Sequence, residues 1–180
     1  SLVPLNPAQT LSTIRRGQVD MMLANPVLAL TLKERDGYQP VLTQLSEAGP
    51  YFAGVIFVRT DSNIHNLADL KGKKVMAYKF KSAAAAYVFQ VKHLLDKGLD
   101  AHKEFSEFRE AKTQDDIVFA VQTGAMDAGF IKSGLLETMS KEGKIKLDDF
   151  RVLDKAKDNY LYAHTTKLYP DWTLMVNPKY

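Results

Sequence analysis

The 180-residue sequence contains no cysteine, which excludes disulfide bonds and thiol catalysis. It also lacks an apolar run of the roughly 20 residues that a membrane-spanning helix requires. Its first ten residues lack the basic start and apolar run of a signal peptide. The absence of cysteine fits a cytosolic and a periplasmic protein equally well, so the composition leaves the compartment open.

Motifs for catalysis are also missing. The sequence has neither a Gly-rich phosphate loop of the Walker type nor a G-x-S-x-G elbow. None of the histidines has a partner at metal-ligand spacing; they are His65, His93, His102 and His164. We therefore expect no catalytic residue, no metal and no cofactor. The densest basic stretch, Lys71 to Lys81, is broken by apolar residues, which argues against nucleic-acid binding.

What the sequence does have is enough apolar content for a core, at 46% hydrophobic residues, and a clear alternation of elements. Asn6 and Asn25 each precede a proline, an arrangement that places an N-cap before the first helical residue. Between these two helices, Val19, Met21 and Leu23 alternate as strand residues do. The same alternation of strands and helices along the chain predicts a mainly parallel α/β sheet.

The second half of the chain repeats this alternation. Ser82 is predicted to cap a helix that ends near Gly98. Thr113 and Asp116 have the spacing of a capping box at the start of the next helix. Ser133 is predicted to open a third helix. The strands that precede these helices are predicted at residues 74–78, 105–109 and 126–130.

The string NLADLKGKKV at residues 66–75 resembles the segment that opens the second lobe of type 2 periplasmic solute-binding proteins of the phosphonate-binding family. Three more segments agree with that family in order: a G-x-V-D strand entry at 17–20, a V-x-V-R-x-D-like crossover at 55–61 and a G-x-x-D-A-G strand at 124–129. The resemblance implies a two-lobed α/β fold, of the type 2 periplasmic-binding-protein kind, that closes on a small solute.

A narrower resemblance is carried by later segments: LE at 136–137, EGKI at 142–145, DFRVL at 149–153 and LYPDW at 168–172. They are similar to the sensor domains of two-component histidine kinases of the tetrathionate-sensor type. This implies an extracytoplasmic ligand-binding domain of a sensor histidine kinase, tethered to the inner membrane in the full-length protein, that signals by lobe closure.

Other functions fit the same architecture. The main alternative is the substrate-binding component of a phosphonate or oxyanion ABC transporter. The effector domain of a cytosolic transcription regulator would require a helix-turn-helix upstream, and an enzyme would require a reactive side chain that the sequence does not reveal. The expected partners are a small, anionic ligand and either the kinase portion of the same polypeptide or a membrane transporter.

The resemblance assigns residues 1–58 and 155–180 to lobe 1 and residues 61–153 to lobe 2, with crossings near Val58 to Asp61 and Leu153 to Lys157. The family has a strand and a helix before the segment that matches Ser1 to Gly17, and further helices after Tyr180. Lobe 1 is therefore expected to be incomplete here, with a swapped neighbour, a gap or exposed apolar surface near Val19 to Leu23.

Ligands bind open α/β sheets beyond the carboxyl ends of the strands, where helix N-termini favour anions. Around Ser82, small alanines allow a ligand to approach the backbone closely, and Lys79 and Lys81 supply positive charge. The phosphonate-binding proteins that this segment resembles have hydroxyl-rich residues here, so phosphonate itself is not expected. Lys132 and Ser133 stand where the sensor group has an Arg-Thr pair. The candidate ligand-binding residues are Asn25, Tyr51, Tyr78, Lys79, Ser82, Ala83, Ala84, Thr113, Lys132 and Ser133. The alternative for each is a structural role as a cap, a surface charge or aromatic packing.

Overall fold

The chain divides into two compact units in a computed structural model, which describes residues 7–80 and 82–179. The small unit comprises Ser1–Leu45 and Pro170–Tyr180, and the large unit comprises Ser46–Tyr169. The sequence predicts the change of lobe near residues 58 and 155 instead, and those lobe boundaries stay a prediction. The predicted roles of Asn6 as a cap and of Lys81 as a charge lie outside the described residues.

The helices are α1 (Pro7–Arg15), α2 (Pro26–Asp36), α3 (Phe89–Asp96), α4 (Ala101–Glu104), α5 (Gln114–Gln122) and α6 (Leu135–Lys141). The strands are β1 (Met21–Ala24), β2 (Gln39–Thr43), β3 (Tyr51–Phe52), β4 (Gly54–Arg59), β5 (Lys74–Tyr78), β6 (Glu107–Ala111), β7 (Ala128–Lys132), β8 (Phe150–Val152), β9 (Tyr169–Pro170) and β10 (Thr173–Val176). Short 3-10 helices cover Leu67–Leu70 and Leu147–Asp149, and β3 pairs with β9.

The small unit is built around β10, which lies between β1 and β2 and pairs antiparallel with both. Asn25 caps α2 as predicted, because its side chain accepts a hydrogen bond from the Leu28 N–H at 3.0 Å. Buried residues of α2 and of one face of the sheet, including Leu32, Ala24 and Met175, form the core of this unit. The prediction of a mainly parallel sheet is wrong here, because the distant β10 inserts between the two local strands.

The opposite face of this small sheet is apolar and exposed. Side chains alternate between the two faces of a strand, and on β1 Ala24 enters the core whereas Met21 and Leu23 are 61% and 50% exposed. Across the sheet Leu23 lies opposite Leu174, which in turn lies opposite the exposed Leu42. An antiparallel sheet commonly leaves one face to solvent, but that face usually carries polar side chains. The exposed face is what the expectation of an incomplete first lobe predicts.

The large unit contains a five-stranded sheet in the order β6-β5-β7-β4-β8. β5 is parallel to β6 and β7, whereas β4 is antiparallel to β7 and β8, so the sheet is mixed and not mainly parallel. Apolar clusters cover both faces: Leu94, Leu99 and Ala101 contribute to one, and Ile117 and Leu136 to the other. The α/β class is as predicted, with β1 and β5 in separate sheets.

Two predicted helix starts are wrong. The helix after β5 starts at Ala84, not at Ser82, with Ala83 at the N-cap and no side-chain cap. Its first turn, Ala84–Val88, is π-helical, and Ala86 has non-helical angles (φ −132°, ψ 18°); we call it the alanine turn. Ser133 also precedes its helix, because α6 begins at Leu135 after Gly134 at φ +87°. The Thr113–Asp116 capping box at α5 is present as predicted.

Backbone groups at the start of β4 are satisfied by two threonines from a distant segment. β8 pairs only with the second half of β4, from Phe57 onward. The Thr165 hydroxyl accepts from the Ile56 N–H at 2.9 Å and donates to the Leu153 carbonyl at 2.8 Å. The Thr166 hydroxyl accepts from the Gly54 N–H at 2.9 Å. The buried side-chain hydroxyls thus replace the missing half of the neighbouring strand.

Thr165→Val should destabilise the protein by about 1–3 kcal/mol, because it leaves buried polar groups of Ile56 and Leu153 without a partner at nearly unchanged volume. Urea unfolding would measure the loss. Thr165→Ser should retain most of the stability, and Thr43→Val, at an exposed strand position, should change it little. Equal stability of Thr165→Val and the parent protein would contradict the assigned hydrogen bonds.

Lysine substitutions on the exposed face of the small sheet should reduce the binding of a hydrophobic dye. Met21→Lys and Leu23→Lys place charge where the apolar surface meets water, so dye fluorescence should fall while the thermal unfolding midpoint changes little. Leu95→Lys is the control, since Leu95 is also exposed but lies on α3. The assignment of this face as exposed is contradicted if the β1 substitutions unfold the protein, or if they leave dye binding at the level of the Leu95→Lys control.

Candidate functional site

The carboxyl ends of the three parallel strands meet at one edge of the large sheet, which we call the carboxyl edge. β5 ends there at Tyr78, β6 at Ala111 and β7 at Lys132. β4 runs in the opposite direction and begins there, because Gly54 pairs with Lys132. All the candidate residues except Asn25 belong to this edge or to the segments that adjoin it. Asn25 belongs to the small unit.

A tight turn after β5 presents the first cation. Lys79 has a left-handed backbone (φ +36°), which is uncommon for a residue other than glycine. Its carbonyl accepts hydrogen bonds from the Ser82 and Ala83 N–H groups at 3.2 and 3.0 Å. These two N–H groups are thus used inside the turn, and Ser82 does not open the helix as predicted. Its role toward a ligand stays a prediction.

The Lys79 ammonium lies 5.1 Å from the centroid of the Tyr78 ring. A hydrogen bond with the Tyr78 side chain raises the pKa of Lys79, with further contributions from the negative charges nearby, including Glu110. Lys79 is therefore fully charged at neutral pH. Its side chain is exposed, so the charge is available at the carboxyl edge.

Phe80 anchors the same turn from below. Its ring lies 4.7 Å from both the Tyr87 and the Phe108 ring centroids. Its backbone N–H donates to the Glu110 carboxylate, and the Tyr87 hydroxyl is 2.7 Å from Nε2 of His102. The turn that presents Lys79 is thus held by an aromatic cluster.

The alanine turn provides the backbone donors at this edge. The first N–H groups of any helix have no intrahelical partner, and here they belong to alanines whose side chains are buried. The Val88 N–H donates to the Ala83 carbonyl at 3.0 Å, which is the wide π-helical spacing. π-helical turns occur frequently at functional sites. The N–H groups at the start of this helix are therefore those of Ala84 and the alanines after it, and their role toward an anion stays a prediction.

Lys132 is the second cation of the edge. It is half-buried, and its ammonium lies 4.8 Å from the centroid of the Phe52 ring. Its backbone N–H donates to Oε1 of Gln114 at 2.8 Å, which connects the end of β7 to the start of α5. Lys132 thus combines a positioned backbone with a charge over an aromatic face.

Two other candidates at this edge already have structural partners. The buried Ser133 hydroxyl accepts from the Ala53 N–H at 3.1 Å. The Thr113 hydroxyl accepts from the Asp116 N–H at 3.2 Å, and the Asp116 carboxylate accepts from the Thr113 N–H at 3.0 Å. Both side chains hold strand and helix ends in place, and their roles toward a ligand stay predictions.

The predicted aromatic walls differ in exposure. Tyr51 is 47% exposed, and its carbonyl accepts from the Tyr160 hydroxyl at 2.9 Å. Tyr78 is half-buried against the apolar cluster beneath α5. Tyr51 thus offers an open face at the carboxyl edge, whereas the Tyr78 ring lies near the Lys79 ammonium.

Sequence reasoning missed Gln90. Its side chain is fully buried next to the alanine turn and donates to backbone carbonyls of both neighbouring strands. A single glutamine on a helix does not by itself predict this role. The signal that could have indicated it is a polar residue among the apolar positions of the predicted helix face.

A concave region of about 480 Å³, the Arg59 groove, lies at the opposite end of β4. Arg59 makes a two-point ion pair with Asp61, at 2.8 and 2.7 Å. The groove is lined by Arg59, Thr60, Asp61, Gln122, Asp148, Asp149 and Phe150. Its carboxylates outnumber its cation, so it is a poor site for an anion.

Neither metal binding nor membrane spanning is indicated by the described part of the chain. Residues 7–80 and 82–179 bring no three His, Asp or Glu side chains together as a metal site would. Within the same residues, no helix has the length and apolar content needed to cross a membrane.

Comparison with known proteins identifies the family. Residues 2–180 match the family described as ABC transporter, phosphonate, periplasmic substrate-binding protein. The tetrathionate sensor histidine kinase TtrS of Salmonella typhimurium is 28% identical over 97% of this chain, which spans 30% of that protein.

Solved structures show the same fold. XAC2383 from Xanthomonas citri, bound to ATP, has a TM-score of 0.74 and 23% identity, with 94% of this chain and 61% of that chain covered. PhnD1 from Prochlorococcus marinus, in complex with methylphosphonate, has a TM-score of 0.69 and 15% identity, with 97% and 62% covered. This chain thus spans less than two thirds of each relative. Because the family match covers nearly every residue, the chain belongs to the phosphonate-type periplasmic substrate-binding proteins.

Proposed function

We propose that this chain is the ligand-binding sensor domain of a two-component histidine kinase and that it binds a small anion outside the cytoplasmic membrane. The observation that carries the proposal is the presence of Lys79, Lys132 and the alanine turn at the carboxyl edge of one sheet. Family membership supports solute binding in general. The identity to the tetrathionate sensor kinase over almost the whole chain favours a sensor over a transporter component.

Electrostatics favour a negative ligand at this edge. Helix-terminal N–H groups and ammonium groups both attract anions. The sequence has no carboxylate between Tyr78 and Gln90 to oppose them. The carboxylates Glu110 and Asp116 also belong to this edge, and each accepts a backbone N–H, from Phe80 and Thr113 respectively. These hydrogen bonds reduce the repulsion that the two carboxylates exert on an anion.

The proposed signal is the closure of two lobes around the anion. Closure removes water from the ligand, and the interactions of the anion with Lys79 and Lys132 become stronger as the effective dielectric constant falls. The free energy of these interactions then favours the closed state over the open state. In a membrane-tethered protein, the change in lobe angle would reach the kinase portion of the same polypeptide.

Removing either cation should weaken binding about tenfold, or ~1.4 kcal/mol, because each charge-assisted hydrogen bond is lost while the fold remains. Lys79→Met and Lys132→Met keep most of the aliphatic stem and can be compared with the parent by calorimetry, using tetrathionate, methylphosphonate and sulfate as ligands. Lys155→Met, at an exposed loop position of the large unit, is the matched control.

The outcome that contradicts the anion site is unchanged affinity in both the Lys79 and the Lys132 variants. Binding by the parent protein of only neutral or cationic solutes contradicts it as well. Raising the salt concentration should also weaken binding by the parent protein, because the exposed Lys79 charge is screened.

The full-length protein separates a sensor from a transporter component. In membrane vesicles, a sensor kinase should change its rate of autophosphorylation when tetrathionate or another anion that binds is added. A transporter component would bind the same anion with no kinase in its polypeptide and would stimulate ATP hydrolysis by a partner permease. This second result would favour the phosphonate or oxyanion transporter.

A further inference from the structure

Gln90 joins three structural elements at the carboxyl edge. Its side chain is 0% exposed, and its Nε2 donates to the Ala85 carbonyl at 2.9 Å and to the Ile131 carbonyl at 3.0 Å. The Val55 carbonyl lies 3.3 Å from the same nitrogen. One amide group thus connects the alanine turn to β7 and to β4.

The position of this amide depends on Gly54. A Cβ atom at residue 54 would lie 2.6 Å from both Cδ and Nε2 of Gln90, which is closer than real Cβ contacts. Gly54 pairs with Lys132, and the next pair in the register is Val55 with Ile131. Gln90 therefore bonds to β7 at Ile131, the residue before Lys132.

The alanine turn needs this support. Ala86 departs from helical angles, and the cap residue, Ala83, offers no side-chain hydrogen bond. Oε1 of Gln90 is buried with no hydrogen-bond partner in the described part of the chain. A buried polar atom without a partner reduces stability, and the hydrogen bonds from Nε2 to the Ala85 and Ile131 carbonyls offset this cost.

We infer that Gln90 is the positioning residue of the anion site; this inference rests on the proposed function. Its amide fixes the distance between the N–H donors of the alanine turn and Lys132 at the end of β7. Affinity for an anion depends on that distance, because both kinds of donor must reach the same ligand.

Gln90→Met tests this role, because methionine has similar volume and cannot donate a hydrogen bond. The affinity for tetrathionate, measured by calorimetry, should fall at least tenfold. Hydrogen exchange of the Val88 and Phe89 amides, which donate to the Ala83 and Ala84 carbonyls, should become at least tenfold faster, whereas exchange in β5 and α5 should stay within twofold of the parent. Gln122→Met, at the Arg59 groove, is the control and should change neither quantity.

If Gln90 had a purely structural role, the Gln90→Met substitution would accelerate hydrogen exchange throughout the large unit and not in the alanine turn alone. The inference is overturned by uniform acceleration, or by Gln90→Met having parent-like affinity and exchange. If the parent protein binds none of tetrathionate, methylphosphonate and sulfate, the proposed function fails. Exchange in the variant then still decides whether Gln90 holds the alanine turn.

Gln90→Glu provides a second test should the methionine variant not fold. A buried carboxyl group can donate to the Ala85 or Ile131 carbonyl only when it is protonated, and burial raises its pKa. Affinity of this variant for tetrathionate, whose charge does not change between pH 5 and 8, should therefore fall as pH rises. A pH dependence equal to that of the parent would overturn the positioning role.

Discussion

The close approach of Gly54 to the Gln90 amide is the constraint on which the rest of the large unit depends. Because Gly54 has no side chain, helix and strand backbone come within hydrogen-bonding distance of one amide. The Gly54 carbonyl is also shared by the Thr165 and Thr166 N–H groups, at 3.0 and 3.1 Å. The first residue of β4 thus meets the alanine turn on one side and the returning chain on another. Any side chain at position 54 would separate them.

Local signals in the sequence predict a large part of the fold. Asn25 and the Thr113–Asp116 box act through bonds only three residues apart, and both caps are present where they are predicted. Ser82 fails for an equally local reason that leaves no trace in the sequence. The left-handed Lys79 bends the chain so that its own carbonyl takes the N–H groups of Ser82 and Ala83. The helix then begins two residues later than its best capping residue.

The candidate site was predictable in outline and not in detail. Residues that follow parallel strands must share one sheet edge, which is sufficient to bring Tyr78, Thr113 and Lys132 to the same side of the molecule. The supporting contacts come from far along the chain: Thr165 bonds to Ile56 across 109 positions, and Gln90 bonds to Ile131 across 41. No periodicity records such pairs. They follow only from the order of strands in the sheet.

Because β10 lies between β1 and β2, the small sheet cannot form until β10 has been synthesised. β1 and β2 are both synthesised early, but each pairs with β10 and not with the other. At typical synthesis rates, on the order of ten seconds separates Ala24 from Thr173 on the ribosome. During that interval Met21, Leu23 and Leu42 lie on strands whose β10 partner has not yet been synthesised, whereas all strands of the five-stranded sheet have been synthesised. The large unit is therefore able to form its sheet before the small sheet gains its central strand.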